Sequence, residues 1–202
     1  MRKAAVATVV LLAAAIRSHG YALADEAKSL DVAKAYRACS GNDATGCIAL
    51  GLAYEDGDVR DVDGAKIERN YRQAVNYFEI ACKAESAFAC SSIGGMYRAG
   101  KVKTKKPSDA DVLLLLEWTY YERGCVSTKS PKDEVALACS LSGNASMRLA
   151  LSTATKKKMR ASMLHSAFAS LSKACQLGND GSCRELAKMN EALDSSASPA
   201  SQ

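Results

Sequence analysis

The chain has 202 residues, eight cysteines and a formal net charge of +5. Without Arg2, Lys3 and Arg17 the 27 basic residues fall to 24 against 22 acidic ones, a net charge of about +2. That balance gives no reason to expect nucleic acid as a partner. No segment reaches the ~20 apolar residues of a membrane span, so the chain is not expected to be membrane-embedded.

In chain order, Met1-Arg2-Lys3 precede an apolar run over residues 4–16 and a polar stretch ending Ala22-Leu23-Ala24. A charged start, a short apolar core and an A-x-A site describe a signal peptide over residues 1–24. The mature chain then begins at Asp25 and is expected to be secreted or periplasmic. A buried N-terminal helix and a mitochondrial presequence leading to the intermembrane space are the alternatives, since no acidic residue precedes Asp25.

All eight cysteines follow this segment, in pairs: Cys39/Cys47, Cys82/Cys90, Cys125/Cys139 and Cys175/Cys183. Three pairs are Cys-x7-Cys, and the intervals between pairs are 35, 35 and 36 residues. So regular a spacing marks an internal repeat. In an oxidising compartment an even set of this kind reads as a disulfide framework. Zinc is the alternative, but it favours closer Cys pairs and histidines, and only His165 follows the leader. On one straight helix Cys39 and Cys47 would lie about 12 Å apart. A disulfide needs Cα atoms within ~7 Å, so the chain must turn between them. Residues 40–46 have turn chemistry, with Gly41 or Asn42 suited to ending a helix and Asp43 to starting one. Each bridge should staple one helix end to the next helix start. The third pair encloses a six-residue insertion, with Pro131 suited to the first position of a helix.

Two helical stretches make each unit. Residues 47–57 and 90–100 share Cys, an aliphatic residue, Gly, Tyr and Gly at the same offsets. The inner glycine allows a neighbouring helix to approach closely, and the last one stops the helix. Residues 74–82, 117–125 and 167–175 form the second stretch, with an earlier copy at 32–39. Apolar residues recur at helical spacing throughout, and no segment alternates as a strand does. The third unit departs from the pattern, with Ser142 and Ser146 where an aliphatic residue and Tyr stood. The expected order is a lone helix, three helix pairs, a final helix from about residue 180 to 193, and a disordered tail over 195–202.

The blocks Leu50-Gly51-x-x-Tyr54-x-x-Gly57 and Ala74-x-x-Tyr77-Phe78-x-x-Ala81 resemble Sel1-like repeats, a branch of the tetratricopeptide-like solenoids. The cysteine spacing resembles that of secreted cysteine-rich members such as the Helicobacter cysteine-rich proteins. The resemblance implies an all-α, right-handed α/α solenoid of helix pairs, a domain over residues 25–194. These units repeat every 43 residues, longer than usual for the family, with the surplus in the loops at 58–69 and 101–109. It also implies two functional themes: protein–protein scaffolding, and binding of penicillin-like compounds with weak β-lactamase activity.

For the second theme, Ser170-x-x-Lys173 matches the Ser-x-x-Lys of serine β-lactamases, but a chain rich in Ser and Lys meets that spacing by chance, and no Ser-Asp-Asn or Lys-Thr-Gly follows. A cysteine nucleophile needs a free thiolate, and every cysteine has a repeat partner. No catalytic residue, cofactor or metal is therefore assigned. The basic runs at 101–106 and 156–158 read as solvated charge, or else as contacts for an anionic partner. Tyr77, Trp118, Tyr120 and Tyr121 are the candidates for a ligand face, with inter-helix packing as the plainer role. The expectation is a monomeric, exported, disulfide-bonded scaffold binding a protein or peptide-like ligand on its concave face, with a β-lactam-binding hydrolase as the rival.

Overall fold

The computed structural model describes residues 29–102, 110–152 and 157–197. Among these, helix α1 spans Val32–Ser40, α2 Ala44–Asp56, α3 Tyr71–Lys83, α4 Ala87–Arg98, α5 Ala110–Cys125, α6 Lys132–Leu151, α7 Lys157–Gln176 and α8 Asp180–Ala197. Each helix packs on the next in the chain, and α4 also touches α6. The architecture is an α/α solenoid: α1 alone, the pairs α2/α3, α4/α5 and α6/α7, then α8. The final helix runs to Ala197, past the expected end at residue 193 and into the segment read as tail. The leader at 1–24, most of the basic run at 101–106 and residues 198–202 lie outside the described residues. No helix among the described residues is long and apolar enough to cross a membrane.

The turns follow the local chemistry of the sequence. Asp43 accepts the Thr45 N–H at 2.9 Å, Asn70 that of Gln73 at 3.1 Å and Ser86 that of Ala89 at 3.1 Å. Asn179 does the same for Ser182 at 2.9 Å. A side-chain cap of this kind contributes ~1 kcal/mol. Asn42 takes the left-handed conformation at φ 65°, whereas Gly41 keeps φ −82°. Pro131 is the N-cap of α6, one residue before the position expected for it, and Lys132 is the first helical residue.

These turns bring the cysteines together. All eight are paired as the spacing requires: Cys39–Cys47, Cys82–Cys90, Cys125–Cys139 and Cys175–Cys183, with Cα separations of 4.6, 4.8, 4.3 and 4.7 Å. Each bridge ties the last turn of one helix to the helix that follows.

The inner glycines set the packing within each pair. A Cβ on Gly51 would lie 2.6 Å from the Phe78 ring, one on Gly94 2.7 Å from the Tyr121 ring, and one on Gly143 2.6 Å from Leu171. In all three units the glycine lies four residues after one cysteine and the large partner four before the next. The degenerate third unit keeps this contact although it has lost its tyrosine.

Two features have no sequence signature. Strand β1 (Ser29–Leu30) pairs in parallel with β2 (Arg60–Asp61), too short to show an alternating pattern. It forms because the α2–α3 loop folds back beside the segment entering α1, where Asp61 accepts the Val32 N–H at 3.2 Å. The insertion in the third cysteine pair is anchored on the α3–α4 turn. Ser127 and Ser130 both donate to the Glu85 carbonyl, Thr128 donates to the Glu85 carboxylate, and Lys129 pairs with it at 3.0 Å. The same Ser130 hydroxyl accepts the Ala87 N–H at 2.7 Å. Glu85 holds φ 68°, an unusual conformation for a side chain of this type, in the turn that receives these bonds.

Candidate binding face

The tyrosines of the repeat meet in pairs. Tyr54 lies seven residues after Cys47 and Tyr77 five before Cys82; their rings stack with centroids 5.7 Å apart and planes 8° apart. Tyr97 and Tyr120 occupy the same places in the next unit and stack at 5.7 Å and 15°. All four rings are half-buried, so each pair seals its helix contact and still presents surface. Tyr36 of α1 is 56% exposed and interacts electrostatically with Tyr77.

Burial, followed by Tyr54 and Tyr36, pushes the Tyr77 hydroxyl above its ordinary value of 10.0. Burial and then Glu79 raise Tyr97. Tyr120 is raised furthest, first by burial and then by its hydrogen bond to Glu79. Glu79 also pairs with Arg123 at 3.6 Å, and the Arg123 guanidinium lies 5.4 Å from the centre of the Tyr120 ring. Lys101 pairs with Glu55 at 3.0 Å and lies 5.5 Å from the Tyr71 ring centre. The aromatic surface is thus held by charged groups that already have partners.

The four residues singled out from the sequence part company here. Tyr77 and Tyr120 belong to the stacked pairs. Tyr121 is 2% exposed and packs on Gly94, so it is core and not face. Trp118 is half-buried, and its Nε1 is out of water with no acceptor among the described residues. Tyr36, Tyr54 and Tyr97 were not among the candidates. For Tyr54 and Tyr97 the sequence carries a signal, a tyrosine seven residues after a cysteine; Tyr36, three residues before Cys39, has none.

In the third unit the tyrosine positions hold Ser146 and Ser170. Ser170 is 4% exposed and donates to Glu122 at 3.3 Å; Ser142 donates to the same carboxylate oxygen. Ser146 donates to Ser166 at 3.2 Å. Lys173 Nζ donates to the Cys125 carbonyl at 2.7 Å. The Ser-x-x-Lys match therefore lies in an inter-helix contact, its serine bonded to a carboxylate and its lysine to a helix end. Arg148 pairs with Glu117, which is 2% exposed. His165 is exposed on α7.

Concavities near the face are shallow. The one between α1, α2 and the α2–α3 loop has a volume of about 310 Å³ and includes Val32, Tyr54, Asp61 and Arg69 in its wall. No group of three or more His, Cys, Asp or Glu among the described residues is placed to hold a metal ion.

Comparison with models of protein families and with curated proteins returns no match. A solved structure does match, that of a Sel1 repeat protein from Oxalobacter formigenes. The similarity has a TM-score of 0.52 and covers 78% of this chain and 98% of that one, at 21% sequence identity. The chain has the Sel1 repeat fold, built of helix pairs and stapled by disulfides.

Proposed function

We propose that this protein is an exported scaffold that binds another protein, or a peptide-like segment of one, across its tyrosine face. The observation that carries this reading is the recurrence of a half-exposed stacked pair, Tyr54/Tyr77 and then Tyr97/Tyr120, at one register of successive units, with Tyr36 exposed beside the first. Tyrosine offers large, rigid contact area with a polar tip at low entropic cost, which suits it to recognising polypeptide. A row of such positions along a solenoid serves an extended ligand better than a small enclosed one. Export is supported by the leader-like N-terminus and by four closed disulfides, which persist in oxidising compartments.

The test is selection of binders from a displayed peptide library on the oxidised protein. Enriched peptides should lose about tenfold in affinity, ~1.4 kcal/mol, on Tyr36→Ala. Tyr36 is 56% exposed, so its removal should disturb packing little. No enrichment, or binders indifferent to Tyr36→Ala and Tyr97→Ala, would overturn the proposal.

A further inference from the structure

The four bridges share one topology but not one environment. Six cysteines are 4% exposed or less: Cys39, Cys47, Cys82, Cys90, Cys125 and Cys139. The first four lie in one hydrophobic core and the third pair in a second, where Ala174 near the end of α7 and Leu177 just after it pack. Cys175 and Cys183 are both half-exposed and belong to neither core.

We infer that Cys175–Cys183 is a site of thiol–disulfide exchange, open to a dithiol reductant in the folded protein while the other three bridges are closed. Exchange requires a thiolate to approach a disulfide sulfur directly, so access decides which bridge reacts. Cys183 is the natural leaving group. It lies in the first turn of α8, where the helix N-terminus favours negative charge.

The reductant's thiolate attacks Cys175 Sγ, forming a mixed disulfide and expelling the Cys183 thiolate. The reductant's second thiolate then attacks its own sulfur in the mixed disulfide and expels the Cys175 thiolate. The reductant leaves as its cyclic or internal disulfide, oxidised by two electrons. Both cysteines take up the two protons it has lost. The consequence is local, because the bridge ties only α8 to the end of α7.

The experiment is mild reduction of the native full chain with dithiothreitol, quenching by alkylation, and peptide mapping over time. Cys175 and Cys183 should be alkylated at least ~10-fold faster than any other pair, as access-controlled exchange requires. Simultaneous opening of all four bridges, or earlier opening of another, would overturn the inference. A second measurement uses Cys175→Ser with Cys183→Ser. The fast phase of thiol release should vanish while the slow phase remains, and a fast phase that survives would overturn it equally.

Discussion

Ser170 hydrogen-bonds Glu122 at the place where, one unit earlier, Tyr120 hydrogen-bonds Glu79. In both cases the glutamate lies three residues before one bridge cysteine and the hydroxyl five before the next. The link between successive units is therefore retained in the third unit although its aromatic ring has gone. A serine with this role is structural. Ser170→Ala should lower stability by about 1.5–3 kcal/mol, the usual loss for a buried bond to a charged acceptor. Urea denaturation measures it. Nitrocefin turnover by the wild type that disappears in Ser170→Ala, with the fold intact, would contradict the structural role.

Adjacent glycines on α4 should respond with opposite signs. Gly94→Ala places a Cβ 2.7 Å from the Tyr121 ring and 3.1 Å from the Glu117 carbonyl. Overpacking of that kind costs ~1–3 kcal/mol. At Gly95 the nearest atom, the Tyr121 hydroxyl, is 3.9 Å away. Gly95→Ala should therefore stabilise the helix by roughly 0.5–1 kcal/mol. Thermal melts of the two variants decide the matter.

Removal of the third bridge by Cys125→Ala with Cys139→Ala should cost about 2–4 kcal/mol. The loop it closes is the longest of the four, with a separation of 14 residues against 8 for each of the others. Its anchor on Glu85 leaves the insertion partly ordered, so chemical denaturation should show lost stability with little change in helical circular dichroism.

The Glu85 carboxyl is held below its ordinary value of 4.5, first by the Lys129 side chain and then by the Thr128 hydroxyl and N–H. A lowered carboxyl stabilises the folded form above its unfolded value and loses that contribution as pH falls through the folded one. Wild type and Glu85→Gln should therefore differ above pH 4.5 and converge in acid. At neutral pH Glu85→Gln should speed tryptic cleavage after Lys129, because the insertion loses its ion pair. Equal cleavage rates would show that the backbone bonds to Ser127 and Ser130 suffice.

Tyr77, Tyr97, Tyr120 and Tyr121 all have hydroxyls raised above 10.0, with burial the first cause in each. A raised value gives stability that is complete below the unfolded value and is lost as pH rises through the folded one. Stability should therefore decline as pH climbs beyond 10.0. Ultraviolet difference titration of the native protein should find these hydroxyls ionising late, Tyr120 latest and together with alkaline unfolding.

The helix order, the bridges and the close-packing glycines were all legible in the sequence, because each rests on short-range spacing. A cysteine eight residues from another forces a turn, and a glycine four residues past a cysteine repeats visibly from unit to unit. Which tyrosine faces water was decided only by tertiary packing. Tyr120 and Tyr121 are chain neighbours, yet one stacks at the surface on Tyr97 and the other fills the space over Gly94. The anchoring of the insertion on Glu85 and the shared Glu122 carboxylate join residues 42 or more and 20 or more positions apart, respectively. No local pattern encodes such contacts, since they depend on how one unit is set against the next. The same holds for the bridges: spacing made the four alike, and only packing left Cys175–Cys183 half-exposed while the other six cysteines are buried.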